Sequence, residues 1–236
     1  MILKEIEMDL PYVRDTNQEH LSADAIKLAY ELNWKEKRRQ FQLMTRCMTS
    51  MLERIIPRIN TKDCWKILIE CAEKPSRNDC INLLGVYSVQ VFFDINMFWE
   101  MNSFEKKKYV VKKIREAIGI IAQHDFFAVE EIQKACDEIV DSNYVNEWYW
   151  NKPVKLKQMS VQVKVLHEVE SVNIYMVFKD SVKNVYIEKL LVSEIPDERV
   201  YSKYLGKLEW ISSGTARLST KNGESFTETY AVSYTH

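Results

Sequence analysis

At 236 residues the chain can form one large domain or two small ones, and its 46% hydrophobic and 28% charged residues are typical of a globular protein. Aromatic residues make up 11% of the chain against only 5 Gly and 5 Pro, which favours a large packed core over a loop-dominated architecture. The formal net charge of −1 excludes a global field that would hold nucleic acid or an anionic membrane, so only a local patch could do so.

The N-terminal sequence and the cysteines indicate the compartment. MILKEIEMDLPYV alternates apolar and charged residues and lacks the continuous apolar run of a signal peptide. No window approaches the roughly 18 apolar residues of a membrane helix. The cysteines are odd in number and form no CxxC pair, which argues against a disulfide framework: Cys47, Cys64, Cys71, Cys80 and Cys136. We therefore expect a cytoplasmic protein with reduced thiols and no membrane partner.

The first part of the chain predicts one strand and two helices. Ile2 to Leu10 alternates apolar with largely acidic residues, as in a half-exposed edge strand. Ser22 is the predicted N-cap of a short helix with an apolar face of Ala25, Leu28, Ala29 and Leu32. The clearest helix spans 34–56, where apolar residues follow helical spacing: Phe41, Met44, Met48, Met51, Leu52 and Ile55. We interpret this face as part of the core rather than as an adaptable Met-rich binding groove.

The next segment predicts two short helices and a buried strand. A helix over 61–73 would bury Cys64, Ile67, Leu68 and Cys71. A second one over 76–85 would end at Gly85, a residue suited to a helix C-terminus. Val86 to Phe93 carries no charge on either face, which predicts a strand in the interior of a sheet.

Two amphipathic helices follow this strand. Asn102 to Glu105 is a capping box for the first, whose inner face is predicted to hold Phe104, Val111, Ile114, Ile118 and Ile121. Its cations are expected to lie mostly outward: Lys106, Lys107, Lys112, Lys113 and Arg115. The run EKKK could suggest a nucleic-acid patch, but no aromatic residues interleave with it, so we interpret it as a solvated face. The second helix spans 129–140, with Ile132, Ala135, Cys136 and Ile139 inward.

From about Tyr144 the apolar period changes from 3.6 to 2. Strands are predicted over 154–168, 172–179, 185–192, 205–211, 215–220 and 225–232. Asn222-Gly223 predicts a two-residue type I′ hairpin turn. The fold class is therefore α+β, with residues 1–143 mostly helical with two strands and residues 144–236 forming an antiparallel meander. We expect one α+β unit over 1–236, because the helices can cover the apolar face of the meander.

Catalytic chemistry finds little support in the sequence. None of the four histidines lies within four residues of another histidine or of a cysteine, so zinc-binding spacing is absent: His20, His124, His167 and His236. No HExxH, P-loop, GxGxxG or GxSxG motif occurs. His124-Asp125 is interpreted as a helix cap and His167 as a surface or strand-end residue. We expect no catalytic residue, no cofactor and no metal site.

Aromatic residues beside acids are the best candidates for binding a partner. In Glu147-Trp148-Tyr149-Trp150 an extended chain would place Trp148 and Trp150 on one face, with Glu147 and Tyr149 on the other. Trp99-Glu100 follows the predicted interior strand and has a similar composition. Large aromatics are enriched at protein–protein hot spots, so all six residues are predicted partner-binding residues. The alternative is that the tryptophans seal the junction between helices and sheet.

The run VFFDINMFWEMNSFEKKKYVVKKIREAI resembles a segment of immunity proteins from bacterial polymorphic and contact-dependent toxin systems. In those proteins an aromatic strand with FxFD-like residues precedes a Ser-x-x-x-Lys-Lys helix, and here the resemblance covers residues 83–121. It implies a cytoplasmic protein that binds and blocks a cognate toxin domain, without catalytic residues. Immunity proteins against nucleases are often acidic, whereas this chain is nearly neutral, which does not favour a nuclease as the target.

Three functions remain open at this point. The leading hypothesis is a non-enzymatic, immunity-type inhibitor. The second is a hydrolase or nucleic-acid-processing enzyme whose site assembles only in the fold, in a pocket where a histidine has a carboxylate or thiol neighbour. The third is a structural homo-oligomer that self-associates through the acidic-faced N-terminal strand or the Trp148 region.

Overall fold

The computed structural model describes residues 1–12, 22–124 and 129–230. The chain divides into two compact units, Met1–Tyr144 and Val145–His236, and the boundary falls where the sequence predicts the change of period. Helices are concentrated in the N-terminal part and an antiparallel meander occupies the C-terminal part, which confirms the α+β class. The expectation of one continuous unit over 1–236 stays a prediction. No helix of the described ranges has the length and apolar character needed to cross a membrane.

The first unit is built on a mixed four-stranded sheet. Its strands are β1 (Glu5–Asp9), β2 (Lys66–Ala72), β3 (Cys80–Leu83) and β4 (Val86–Phe92), in the order β1-β2-β4-β3. β1, β2 and β4 run parallel, and β3 is antiparallel to β4. β1 therefore lies at an edge and β4 in the interior, as their sequences predict.

Two predicted helices are strands. The helix expected over 61–73 is β2, and the helix expected over 76–85 is β3. Ile67, Ile69 and Cys71 of β2 are buried in alternation, because this strand lies between β1 and β4. β3 and β4 form a hairpin in which Leu83 pairs with Val86. Among its described residues, the first unit thus contains four strands rather than the two predicted.

Gly85 is required by the turn of this hairpin rather than by a helix end. Leu84 and Gly85 have positive φ angles of 53° and 85°, as in a two-residue hairpin turn. A Cβ atom on Gly85 would lie 2.8 Å from the Asp63 carbonyl oxygen and 2.7 Å from Trp65 Cδ1. Backbone conformation and close packing therefore both exclude a side chain here.

We expect Gly85→Ala to lower the free energy of unfolding by about 2 kcal/mol, since it adds steric overlap to an unfavourable φ. Gly214→Ala is the matched control, because Gly214 has a φ of 93° but no heavy atom within 4 Å of the position of its Cβ. It should cost only about 1 kcal/mol. Urea denaturation of the two variants measures the difference. Equal losses would show that overlap of the added Cβ with Asp63 and Trp65 contributes nothing to the loss of stability.

In the described part of the first unit, five α-helices accompany the sheet: α1 (Ala23–Asn33), α2 (Lys35–Ile55), α3 (Ile95–Glu100), α4 (Ser103–Ile121) and α5 (Val129–Asp141). α2 packs on β1 and α4 packs on β4, and together with α5 they enclose one core. The Ser22 cap and the capping box of α4 are confirmed, as is the buried face of α5. The helix α1 is present as predicted, but two residues of its apolar face, Leu28 and Leu32, are exposed. Phe104 of α4 is likewise exposed.

The second unit holds an antiparallel sheet of five strands: β5 (Glu147–Tyr149), β6 (Val154–Leu156), β7 (Met159–His167), β8 (Val172–Asp180) and β9 (Val185–Glu194). The order is β5-β7-β8-β9, and β6 also pairs with β7. The strand predicted over 154–168 is interrupted at Lys157, whose φ is positive. A short helix, α6 (Glu198–Tyr201), leads to a three-stranded sheet of β10 (Lys207–Ser212), β11 (Thr215–Ser219) and β12 (Ser225–Thr229).

The turn between β11 and β12 differs from its prediction. The hairpin is present, with Ser219 paired to Ser225. Its loop is longer than two residues, because the Thr220 N–H donates to the Glu224 carbonyl at 2.8 Å. Only Gly223 in this loop has a positive φ, so the predicted type I′ turn is wrong.

One face of the five-stranded sheet forms the core of the second unit. Alternate residues of β7 and β8 are buried there, including Val163, Val165, Ile174 and Met176. The sequence attributed the cover of this face to the N-terminal helices, but the core is completed by residues of the same unit: Tyr201, Tyr204, Leu205, Leu208, Ala216 and Leu218. The side chains that alternate with the core residues form the opposite face of the sheet.

Candidate functional site

The structure places the six predicted partner-binding residues in both units. Trp99 and Glu100 end α3 in the first unit, whereas Glu147, Trp148, Tyr149 and Trp150 lie in and just after β5 in the second. Trp99 is half-buried, and its ring centroid lies 5.8 Å from that of Phe98. Glu100 is exposed.

The alternation predicted for β5 is observed. Trp148 packs against the core of the second unit, with its ring centroid 6.4 Å from that of His167. Trp150 is 44% exposed, and Lys221 Nζ lies 5.7 Å from its ring centroid. Glu147 and Tyr149 alternate with the two tryptophans and lie on the opposite side of the strand. Glu147 and Tyr149 therefore belong to the face of the sheet that lies opposite the core, and the two tryptophans do not.

Glu147 and Tyr149 join a larger set on that face, which we call the tyrosine–lysine face. The register pairs Tyr149 with Lys164 and Lys164 with Tyr175, and it pairs Lys179 with Tyr186. The name covers seven residues of this side of the sheet, which come from four strands: Glu147, Tyr149, Lys164, Tyr175, Lys179, Tyr186 and Glu188. It thus gathers three tyrosines, two lysines and two glutamates.

Lysine ammonium groups make cation–π contacts with the tyrosine rings of this face. Lys179 Nζ lies 5.2 Å from the ring centroid of Tyr149 and 5.4 Å from that of Tyr186. The hydroxyl groups of Tyr149 and Tyr186 are 3.4 Å apart. Lys164 Nζ lies 4.9 Å from the ring centroid of Tyr175. Cation–π contacts of this kind fix the rings before any partner arrives.

The two glutamates neutralise the lysines. Lys164 donates a hydrogen bond to Glu188 and lies 3.4 Å from a carboxylate oxygen of Glu147. Burial alone would lower the pKa of Lys164, but the hydrogen bond to Glu188 and the two carboxylate charges outweigh it, so this pKa is raised. Burial would raise the pKa of Glu188, but hydrogen bonds from Lys164 and Tyr186 lower it below its usual value. At neutral pH Lys164 and Glu188 therefore both carry their charges, and this pair is electrically neutral.

Tyr186 is kept protonated on this face. Its hydroxyl donates a hydrogen bond to Glu188. Burial and this hydrogen bond together raise the pKa of Tyr186 well above its usual range. The hydroxyl therefore remains a donor and does not become a phenolate base.

Glu100 lies beside a different feature, an open groove between α3, α4 and α5. The groove has a volume of about 660 Å³, and its apolar lining includes Met97, Met101 and Val140. Lys108 and Lys112 lie along α4 on the same groove. The predicted partner-binding residues are therefore divided between two surfaces, one in each unit.

The lysines of α4 differ from their prediction. Lys106, Lys107 and Lys113 are buried rather than solvated. Lys106 Nζ lies 5.7 Å from the ring centroid of Phe98, and Lys113 Nζ lies 5.4 Å from that of Phe92. Their aliphatic stems are covered while aromatic faces meet the charged ends. These three lysines are consequently not part of a surface that could follow a phosphate backbone.

Histidines and cysteines are the residues considered for catalysis and metal binding. His167 is the last residue of β7, which agrees with the predicted strand-end position, but it is buried and not at the surface. Its ring centroid lies 5.9 Å from that of Tyr201. The side chain of His124, together with Asp125, His20 and His236, lies outside the described residues. No group of three potential metal ligands occurs in the described ranges. Burial raises the pKa of the Cys64, Cys80 and Cys136 thiols to about 11, which disfavours thiolate nucleophiles.

The edge of β1, the surface considered for self-association, is partly occupied. The Ile6 N–H donates to Glu53 Oε1 of α2 at 2.8 Å. A second strand pairing at this edge would have to displace that carboxylate.

Comparison of the chain with protein-family models, with curated proteins and with solved structures finds no match. Function therefore has to be argued from the chain's own residues. Of the two surfaces, the tyrosine–lysine face has the more completely defined geometry. The sequence predicted Glu147 and Tyr149 of this face. It did not predict Lys164, Lys179, Tyr175 and Tyr186, because only strand pairing brings these residues close to Glu147 and Tyr149.

Proposed function

We propose that the protein is a non-enzymatic, immunity-type inhibitor that binds and occludes a cognate bacterial toxin domain, and that the tyrosine–lysine face is its contact surface. The observation that supports this surface is the position of Lys179 between the rings of Tyr149 and Tyr186. Tyr149 is 38% exposed and Tyr186 is 49% exposed, so both rings offer area to a partner while their orientation is already fixed.

Fixed tyrosines favour a protein as the partner. Tyrosine supplies a large amphipathic contact area with few rotatable bonds, and it is enriched at hot spots. Binding costs less when the side chains are ordered beforehand, since less conformational entropy is lost on association. The exposed Leu190, which pairs with Tyr175 across β8 and β9, extends the apolar part of the surface.

The charge balance of the face disfavours nucleic acid. Affinity for a phosphate backbone comes mainly from cations that replace condensed counterions. Lys164 is already engaged by Glu188 and Glu147. Lys179 remains among the tyrosines, and exposed Lys155, which pairs with Ser160, lies on the same side of the sheet. Two ammonium groups are too few for backbone binding but suit a mixed protein surface.

The immunity-type role itself rests on the resemblance of residues 83–121. Most of that segment is scaffold, because Val89, Val91, Phe93 and Ile114 are buried in the core of the first unit. A contact surface in another part of the chain is compatible with such a role. Partner choice would then be determined by the tyrosine–lysine face and not by the segment that resembles the family.

Co-expression with the product of the upstream neighbouring gene, followed by affinity purification and calorimetry, tests the proposal. We expect a stable complex with a dissociation constant below micromolar. Tyr186→Ala and Tyr149→Ala should each weaken it about 30-fold, which corresponds to the roughly 2 kcal/mol of a hot spot. A neighbour without toxin character, or no complex at micromolar concentration, would overturn the proposed function.

Trp150→Ala is the matched control for the surface. It removes an exposed aromatic residue beside the same strand but on the other side of it. We expect it to change the affinity less than threefold. If Trp150→Ala abolished binding and the tyrosine variants did not, the complex would form through the opposite side and the proposed surface would be wrong.

A further inference from the structure

The hairpin of β3 and β4 ends in exposed apolar side chains. Leu83 pairs with Val86, so Leu84 and Gly85 form the two-residue turn between the strands. Leu83 is 69% exposed and Leu84 is 89% exposed. Met1 is exposed beside them, with its Sδ atom 3.3 Å from the position of a Cβ atom on Gly85. We call Met1, Leu83 and Leu84 the apolar tip.

Leu84 is an unfavourable residue for this turn. Its φ of 53° lies in the left-handed region, where the central positions of such a turn favour Gly, Asn or Asp. A leucine here costs backbone strain, and its exposed side chain gains little from burial in the protein. Strained residues cluster at functional positions. An exposed apolar side chain in a strained conformation therefore points to a contact outside the chain.

Polar backbone groups of the turn already have partners within the protein. The Trp65 indole N–H donates to the Leu84 carbonyl at 3.1 Å, and the Gly85 N–H donates to Asn82 Oδ1 at 3.1 Å. The Gly85 carbonyl accepts from the backbone N–H of Trp65 at 2.9 Å. Backbone groups without partners are costly to move out of water, so these bonds allow the tip to enter an apolar environment. Trp65 is half-buried beside the tip, and tryptophan is enriched at membrane–water interfaces.

Two lysines lie next to the apolar tip in the backbone. Lys62 precedes Asp63, whose carbonyl oxygen is 2.8 Å from the Cβ position of Gly85. Lys4 donates its backbone N–H to the Trp65 carbonyl at 2.9 Å. Both lysine side chains are exposed, and no carboxylate of the described residues lies within salt-bridge distance of either.

The charges at this end of the first unit are mainly positive. Arg58 is a third exposed cation, and it precedes Ile59, whose carbonyl accepts from the backbone just before β1. Asp63 adds one negative charge, and its carboxylate accepts hydrogen bonds from Asn82 and Tyr87. Three cations and one acid beside an apolar tip are complementary to an anionic surface with an apolar interior.

We propose that the apolar tip enters the interface of an anionic lipid surface, while Lys4, Lys62 and Arg58 contact the negatively charged headgroups. Peripheral binding of this kind combines apolar burial with charge attraction. The cations and the paired backbone favour a lipid surface over a protein groove. The net charge of the whole chain, on which the expectation of no membrane partner rests, does not describe this local patch. The inference is independent of the proposed toxin-binding role, because it concerns only residues of the first unit.

Co-sedimentation of the full chain with sucrose-loaded vesicles tests the proposal. One set of vesicles is phosphatidylcholine alone, and the other is a three-to-one mixture of phosphatidylcholine and phosphatidylserine. A single myristoyl chain binds with a constant of about 10⁴ M⁻¹, so we expect weaker binding here, with half of the protein on the mixed vesicles near about 1 mM lipid. Binding to pure phosphatidylcholine should be at least about tenfold weaker. No binding to mixed vesicles at about 5 mM lipid, or equal binding to both kinds, would overturn the proposal.

Leu84→Asn separates binding from folding. Asn adopts positive φ more readily than Leu, so the melting temperature should stay the same or rise by up to about 3 °C. Removing the leucine should weaken binding to the mixed vesicles at least about tenfold. Leu32→Gln is the matched control, because Leu32 of α1 is also an exposed leucine, and it should change binding less than about twofold. Vesicle binding by Leu84→Asn at the original affinity would show that the tip is not the contact.

Lys62→Gln tests the charge contribution on an exposed side chain. It should weaken binding to the mixed vesicles about fivefold, as for one cation near an anionic surface, and leave binding to phosphatidylcholine unchanged. An equal loss on both kinds of vesicle would contradict the role of the headgroups. If vesicles did not bind and Leu84→Asn instead weakened the complex with the product of the neighbouring gene, the tip would contact a protein and the lipid assignment would be wrong.

Discussion

Replacing Phe98 with alanine is expected to lower the free energy of unfolding by about 3 to 5 kcal/mol. Phe98 is fully buried in α3, and its ring centroid lies 5.3 Å from that of Phe93 and 5.6 Å from that of Phe41. A third ring, that of Tyr109, lies 6.4 Å away. Phe98 therefore contacts α2, α4 and the residue that follows β4, and removing its ring opens a cavity that these elements and α3 would have to close.

Phe104→Ala is the matched control for this loss, because it removes the same side chain from a residue that is 45% exposed. Its ring has one aromatic contact, with Tyr144 at 5.5 Å between centroids. We expect a cost of about 1 kcal/mol. Urea denaturation followed by circular dichroism measures both variants. Similar losses for Phe98 and Phe104 would contradict the buried position of α3.

Elements with one dominant period could be predicted from the sequence. α2 and α5 have apolar residues at helical spacing only, and both occur where their patterns indicate. The capping box at Asn102 and Glu105 depends on residues three apart, so it is visible in the sequence and is present with both hydrogen bonds. Local patterns of this kind need no knowledge of the neighbouring elements.

β2 shows why other elements could not be predicted. Its apolar residues fit a helix through Ile67, Leu68 and Cys71, and they fit a strand through Ile67, Ile69 and Cys71. The choice is made by the pairing of this segment with β1 on one side and β4 on the other. That information lies in residues far away in the chain, so periodicity alone could not decide.

The buried lysines illustrate a second kind of non-local effect. A charge on a helix suggests an outward side chain, but Lys113 is covered because Phe92 and Tyr109 offer aromatic faces to its ammonium group. It also pairs with Glu116 at 2.8 Å. Phe92 comes from β4, so the environment of Lys113 depends on how α4 packs on the sheet.

The tyrosine–lysine face also depends on contacts between distant parts of the chain, so the sequence predicted only part of it. The aromatic density of residues 147–150 identified Glu147 and Tyr149, because these residues are adjacent in the chain. Alternation along β8 already places Tyr175 and Lys179 on one face. The contact of Lys179 with Tyr149 and Tyr186 depends on the register across four strands. The hydrophobic pattern of a single strand does not determine that register.

Removal of Lys164 should produce the largest electrostatic effect on stability. Its side chain is only 8% exposed, while those of Glu188 and Glu147 are 27% and 37% exposed. Breaking a fully buried ion pair costs about 3 to 5 kcal/mol, but water reaches both glutamates here. We therefore expect Lys164→Met to lower the free energy of unfolding by about 2 to 3 kcal/mol at pH 7.

A double-mutant cycle with Glu188→Gln isolates the interaction between Lys164 and Glu188. We expect a coupling free energy of about 1 to 3 kcal/mol at pH 7, as for hydrogen bonds between charged groups. Glu170→Gln is the control in the same unit, because Glu170 is exposed in the turn between β7 and β8. It should change the free energy of unfolding by less than about 0.5 kcal/mol.

The pH dependence of this coupling follows from the directions of the two pKa shifts. The folded-state pKa of Glu188 is lowered, so its contribution is present above the unfolded value of about 4.3 and is lost as the pH falls through the folded value. The folded-state pKa of Lys164 is raised, so its contribution is complete below about pH 10.4 and disappears only above the raised value. The coupling should therefore be constant between about pH 5 and 10 and should decrease as the pH falls below about 4.3. Urea denaturation of the four proteins of the cycle at pH 7 and pH 2 measures this change. A coupling that did not decrease between pH 7 and pH 2 would mean that packing of the two side chains, and not their charges, accounts for the interaction between Lys164 and Glu188.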